Sequence, residues 1–390
     1  MKKLILAIAA LALIASPALA ADWNMYGSAR MATFYVTTDD DHSAQTISDP
    51  AGTPNLGTDD SGVRWQLQGN SRLGANVKAE NVAGRVELGL GASDAHDGSP
   101  AVRLIYGDWK FSDAGKLRVG KSYTPTSQFI SGQAYADDLG LLGIGTSYGR
   151  RVPGLQLMMG GFTVALLESG ADAGSKWTSF TTDAVPGITG ATRNGDIDNY
   201  LPKIEAGWGM SMDTWNFNLM GGFQYVEIED VVNNNGKKKD VDVTSYIIGG
   251  DVGFNFGPAY VKAAVSYGEN WTNARWSDLG DGFSNTAAGA IFDGKNDAKD
   301  STNYQGALVA GFKFTDTLTF EAGAGYRMAD SDAKGYKDDD AYNVYGQAVI
   351  AMAPGVWLIP EVGYFNWLDG FDGKSQGDEI YLGAKWQIDF

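Results

Sequence analysis

The chain has 390 residues, sets 47 acidic against 30 basic side chains for a formal net charge of −17, and contains no cysteine. The acidity excludes a nucleic-acid binder, because no basic patch of useful size is present. The lack of cysteine excludes a fold held by disulfides.

The first twenty residues read as a secretory signal peptide. Lys2 and Lys3 form a basic n-region, residues 4–15 are an uninterrupted apolar run, and Ala18, Leu19 and Ala20 supply a small-residue cleavage site. The run falls short of the ~20 residues a spanning helix needs. Cleavage leaves residues 21–390 as one domain, and loss of the two lysines takes the formal charge from −17 to −19.

Beyond the leader, no apolar run approaches the ~18 residues of a helical span. Short alternating segments are separated instead by Gly, Asp, Asn and Ser, an all-β signature. In chain order the predicted strands cover residues 23–35, 63–79, 85–91, 101–111, 116–121, 149–159, 162–168 and 201–212. They continue at 214–226, 243–256, 259–271, 302–314, 317–327, 341–352, 356–366 and 380–390. Eight longer connections alternate with seven short ones, which puts every long loop at one end and every tight turn at the other. This is the pattern of a 16-stranded antiparallel transmembrane β-barrel of the outer-membrane type. Closure removes the sheet edges that a bilayer cannot tolerate.

Alternation also assigns the faces. In the last strand Ile380, Leu382, Ala384, Trp386, Ile388 and Phe390 share one parity. Charges such as Arg64, Glu87, Lys203, Glu205, Glu321 and Glu361 sit opposite the apolar parity on their strands, so that face is read as a water-filled lumen. Tryptophan and phenylalanine gather near the short-turn ends and tyrosine near the long-loop ends, as in the two girdles of a membrane barrel. Acidic clusters at 39–41, 59–60 and 338–340 fall in loops, as solvated faces or as sites for divalent cations shared with lipid phosphates.

Residues Asn70, Ser71, Arg72, Leu73 and Gly74 resemble a motif of the Gram-negative general porins, as do residues 117–125, Leu-Arg-Val-Gly-Lys-Ser-Tyr-Thr-Pro. Lys121 stands where many relatives carry Arg. The terminal Phe390 resembles the signal read by the outer-membrane insertion machinery. In overall style the chain is most similar to the homotrimeric porins of sulfate-reducing bacteria. The resemblance implies a cell outer-membrane location, a homotrimer, contact with outer-membrane lipid and lipopolysaccharide, and a loop 3 that folds into the barrel and narrows it. Here that loop is 122–148 and contains Asp137 and Asp138.

A basic series falls on the lumen parity near mid-strand: Lys385, Arg30, Arg72, Arg103 and Arg118, with Arg103 free to exchange faces with Leu104. A basic wall opposite the acidic Asp137 and Asp138 is expected to set a transverse field across a narrow, wet gap. The expected function is passive diffusion of small hydrophilic solutes and ions. The alternatives are a substrate-specific channel, for which Tyr26, Phe34, Trp357 and Phe365 are candidate slide aromatics, or a surface adhesion or receptor barrel. Catalysis has little support: His42 and His96 fall in predicted loops, and no zinc spacing or phosphate loop occurs, so no cofactor is expected.

Overall fold

The computed structural model describes residues 21–39, 41, 60–89, 100–170, 176–177, 195–233, 235–276, 288–293, 295, 297–371 and 373–390. The proposed signal peptide, His42, His96 and parts of the acidic clusters at 39–41 and 59–60 lie outside them.

The chain closes into a 16-stranded antiparallel barrel. The strands are β1 (Asp22–Thr38), β2 (two segments, Asp60–Leu67 and Arg72–Ala79), β3 (Val82–Gly89), β4 (Ala101–Lys110), β5 (Gly115–Tyr123) and β6 (Arg151–Met159). Next come β7 (Phe162–Leu167), β8 (Lys203–Ser211), β9 (Trp215–Val232), β10 (Lys238–Phe256) and β11 (Ala259–Glu269). The last five are β12 (Ser301–Lys313), β13 (Leu318–Ser331), β14 (Asp339–Ala353), β15 (Val356–Asn366) and β16 (Asp378–Asp389). Closure is made by β1 against β16, in register from Ser28 opposite Asp389 to Thr38 opposite Glu379. Phe390 extends the pairing by exchanging two backbone hydrogen bonds with Gly27. The end of its ring lies 2.4 Å from where a Cβ on Gly27 would stand, so a side chain there would displace the ring.

The outer face is apolar. Met25, Trp65, Ile105, Leu308, Leu382 and Trp386 are all exposed on it. A continuous apolar surface of this extent is stable only against lipid or another protein. Cross-strand tyrosine pairs mark the loop end, with Tyr246 and Tyr267 at 6.3 Å and Tyr342 and Tyr364 at 5.9 Å. The wall is uneven: β3 to β7 have six to ten residues each, while β9 and β10 have 18 and 19.

The fold departs from the sequence expectations in four places. The predicted strand 63–79 is broken at Gln68–Ser71: Leu67 pairs with Met31 but Arg72 with Ser28, so two extra residues bulge out of β2. A second bulge lets both Arg103 and Leu104 face the lumen, since Glu87 pairs with Leu104 and Leu88 with Val102. In the predicted loop 227–242, β9 and β10 continue as a raised hairpin, and a short strand, Gly195–Asp198, pairs along β9. Finally, the segment after β11 folds back into the barrel. Trp271, Ala274 and Trp276 are buried there against Met220 and Ile247.

Candidate functional site

Residues 124–150 form loop 3, which leaves β5, crosses the lumen and returns to β6. Its described hydrogen bonds to the wall go to β8–β11, β13–β16, β1 and β2. Glu205 accepts from the backbone N–H and the hydroxyl of Thr126, at 3.1 and 2.8 Å. Glu321 accepts from the Gly132 N–H at 2.7 Å, and Glu361 from the Ala134 and Tyr135 N–H groups at 2.5 and 3.1 Å. The returning limb lies against β13, where a Cβ on Gly325 would stand 2.0 Å from the Ile144 carbonyl oxygen. Parity puts these glutamates inside the barrel, as expected, but they do not face a wet lumen. All three are buried beneath loop 3. Their lone pairs satisfy loop amides that would otherwise be stranded away from water.

The tip of the loop is held by an aromatic stack and an ionic clamp. Tyr135 stacks on Tyr381 with ring centroids 3.8 Å apart and meets Phe34 edge-on at 5.1 Å. Phe34 and Phe365, which sequence alone offers as slide aromatics, are buried in this cluster. Past Tyr135 the backbone turns left-handed at Ala136, Asp137 and Asp138, with φ of 49°, 61° and 60°. Such a run costs about 1–2 kcal/mol per residue, and the side-chain contacts of the turn offset it. Asp138 accepts from Arg30 Nη1, from Lys385 Nζ at 2.7 Å and from Asn70 Nδ2 at 2.6 Å. Asp137 accepts from the Gly69 N–H at 2.8 Å, and Gln68 donates to the Ala134 carbonyl at 2.8 Å. The bulge in β2 is therefore the cradle for the acidic turn.

The expected transverse arrangement is corrected by this contact. Asp138 does not face Arg30 and Lys385 across a gap; it is ion-paired to both. The remaining basic residues split into two groups. Arg72, Arg85 and Arg103 surround one buried carboxylate, Glu87, at 3.7, 2.7 and 2.8 Å, and Tyr26 also donates to it. Arg72, Arg85 and Arg103 form one basic arc beside the loop, and Arg72 lies within electrostatic reach of Arg30 as well as Arg103. Arg118 stands apart from it. Five residues nearer the turn end than Tyr123, it makes a two-point ion pair with Asp108 at 2.7 and 2.9 Å and lies 3.8 Å over the Tyr106 ring.

Several residues of this site carry no flag in the sequence. Glu87 sits on the lumen parity, but nothing in the chain says that three arginines converge on it. Tyr123 accepts from Arg103 and Arg151 at 3.4 and 3.3 Å and packs on Phe129, which neighbours Tyr148. The signal available for the cradle was the run of small and amide side chains Gln68, Gly69, Asn70 and Ser71 in the middle of the predicted strand. Among the described residues no group of three or more His, Cys, Asp or Glu side chains is placed to hold a metal ion.

No protein-family model and no curated protein matches the sequence. The fold does match solved structures. An anion-selective porin from Comamonas acidovorans superposes with a TM-score of 0.57 at 15% identity, over 95% of this chain and 100% of that one. Outer-membrane expressed OmpT of Vibrio cholerae gives 0.53 at 15%, over 94% and 98%. Salmonella typhi OmpF, in a complex with daunomycin, gives 0.53 at 13%, over 95% and 98%. At these identities the likeness is one of fold: the chain has the 16-stranded barrel architecture of Gram-negative outer-membrane porins.

Proposed function

We propose that this protein is an outer-membrane porin, a water-filled channel for passive diffusion of small hydrophilic solutes and ions, with a preference for anions. The observation that carries the reading is the loop clamped across a lumen whose remaining wall bears a basic arc. Hydrogen bonding of loop 3 to most of the wall leaves the second segment of β2 and the inner faces of β3–β6 for the passage, and Arg72, Arg85 and Arg103 outnumber their carboxylate Glu87 there. The net negative charge of the chain does not oppose this. Acidic residues at the loop end of the barrel, such as Asp338 and Asp340, stand at the wide mouth, where a Debye length of about 8 Å screens them. Selectivity is set at the narrow point, where fields focus.

In this reading the long loops face outward and the short turns face the periplasm. The outer face meets lipid, lipopolysaccharide and two sister subunits along the low wall β3–β5, and the Phe390 strand serves as the insertion signal. The likeness to the sulfate-reducer branch rests on the overall style of the sequence alone, in segments such as 160–165. Liposome swelling with sugars of graded size, together with reversal potentials in a KCl gradient, tests the function. A size cutoff without saturation and an anion-directed potential are expected. Saturable uptake of one neutral sugar would instead establish a substrate-specific channel, and no flux would leave an adhesion or receptor barrel.

A further inference from the structure

On the loop side of the basic arc the wall opens into a cavity of about 480 Å³. Six cationic side chains line it: Arg103, Lys121, Arg150, Arg151, Lys203 and Arg275. The described lining contains one carboxylate, Glu168. Behind it, Glu87 pairs with Arg103 and Glu205 with Lys203, so among the described residues six cations stand with three carboxylates. The six come from β4, β5, the start of β6, β8 and the segment after β11, brought together only by closure of the barrel and by the inward fold of residues 270–276. Arg150 and Arg275 hold left-handed backbone, with φ of 68° and 58°. Bulky residues adopt that region rarely, and it persists where the surrounding structure imposes it.

We infer that this cavity binds small organic polyanions, molecules carrying two or more carboxylate or phosphate groups. Guanidinium groups match such groups two bonds at a time. The volume is that of a small-molecule site and equals the space of about 16 waters at ~30 Å³ each, far more than one tetrahedral ion fills. The cations also ring the cavity from five separate stretches of chain, so a ligand must present more than one anionic group to engage them together. The inference deepens the channel reading: a solute captured here stands directly above the Arg72 and Arg103 arc. It turns part of the anion flux into a saturable process.

The test uses the full mature chain, refolded in detergent for calorimetry and reconstituted in planar bilayers for conductance, with citrate as the polyanion and acetate as the monoanion. Citrate is expected to bind saturably, at least about tenfold more tightly than acetate, and to reduce KCl conductance over the same concentration range. The variants K121Q and R151Q, singly and together, should weaken citrate binding, tenfold or more for the pair. K110Q, at a remote turn, should not. Two single substitutions keep the test intact if the pair fails to fold. Equal binding of citrate and acetate, or citrate binding unchanged in all three cavity variants, would overturn the site. Conductance without citrate binding refutes this inference and leaves the porin reading standing. Citrate binding without conductance does the reverse.

Discussion

Substituting Asp138→Asn removes one charge from the clamp while keeping its shape. Arg30, Arg72, Arg85, Arg103 and Lys385 stand against Glu87, Asp137 and Asp138, so the formal charge of this corner rises from +2 to +3. At roughly 6 Å in water a unit charge shifts a passing ion by about 0.7 kcal/mol. Screening at 0.1 M salt, with a Debye length of ~10 Å, reduces that to about 0.4 kcal/mol. Anion and cation shift in opposite directions, so the anion-to-cation permeability ratio should rise about fourfold. Reversal potentials across a tenfold KCl gradient read this directly. Asp138 also steadies the left-handed turn, so D138N should make the open-channel current noisier. Asp137→Asn should shift selectivity in the same direction with less added noise, because the Gly69 amide that Asp137 holds can still bond an amide oxygen. A ratio that stays put, or moves toward cations, in both variants would refute the placement of this turn at the narrow point.

Arg72→Gln should move the permeability ratio toward cations by about fourfold on the same electrostatic scale. Arg118→Gln should move it less than about twofold, because Arg118 stands with Asp108 outside the arc; the same gradient measurement compares them. Gly325→Val places carbon atoms where the Ile144 carbonyl lies, so the returning limb should lift and single-channel conductance should rise in a barrel that still resists heat unfolding in detergent. Glu361→Ala strands the buried Ala134 and Tyr135 amides at about 1–3 kcal/mol each, or about 2–6 kcal/mol in all. Limited proteolysis of the folded barrel should then cut within 124–150, where the native loop resists.

The barrel was legible in the sequence because its rules are local. Period-two alternation gives the faces, and the alternation of long and short connections gives strand number and closure. What escaped is what alternation cannot register. The bulge at Gln68–Ser71 adds two residues, and an even insertion restores the parity on its far side, so 63–79 reads as one strand. Parity placed Glu205, Glu321 and Glu361 inside correctly, but inside is not the same as wet. Whether a lumen carboxylate meets water or a folded-in loop is a contact between residues some 80 to 230 positions apart. Arg118 and Arg103 both read as mid-strand, and only the hairpin register of β4 and β5, with its bulge beside Arg103, sets their different heights. The inward fold of 270–276 did have a local signal: Trp271 and Trp276 are large apolar residues in a stretch otherwise composed as a loop.

The separation of the inner wall into two regions changes how its charges count. Along β8 and β13–β15, Glu205, Glu321 and Glu361 face backbone N–H groups, and their charge is spent on fixing loop 3. In the channel reading a permeating ion meets the loop, not these carboxylates. Along the second segment of β2 and along β3–β5 no described hydrogen bond to loop 3 is made, and Arg72, Arg85 and Arg103 stand three to one over Glu87. Summing every charge of lumen parity would therefore overstate cation preference, because the acids lie disproportionately on the covered side. The same division explains why the tip of the loop is held by an ionic clamp. Asp138 sits where the loop crosses from the covered wall to the open one, and there the loop needs a partner that both sides supply: Lys385 from β16 and Arg30 from β1, the two strands whose pairing closes the barrel.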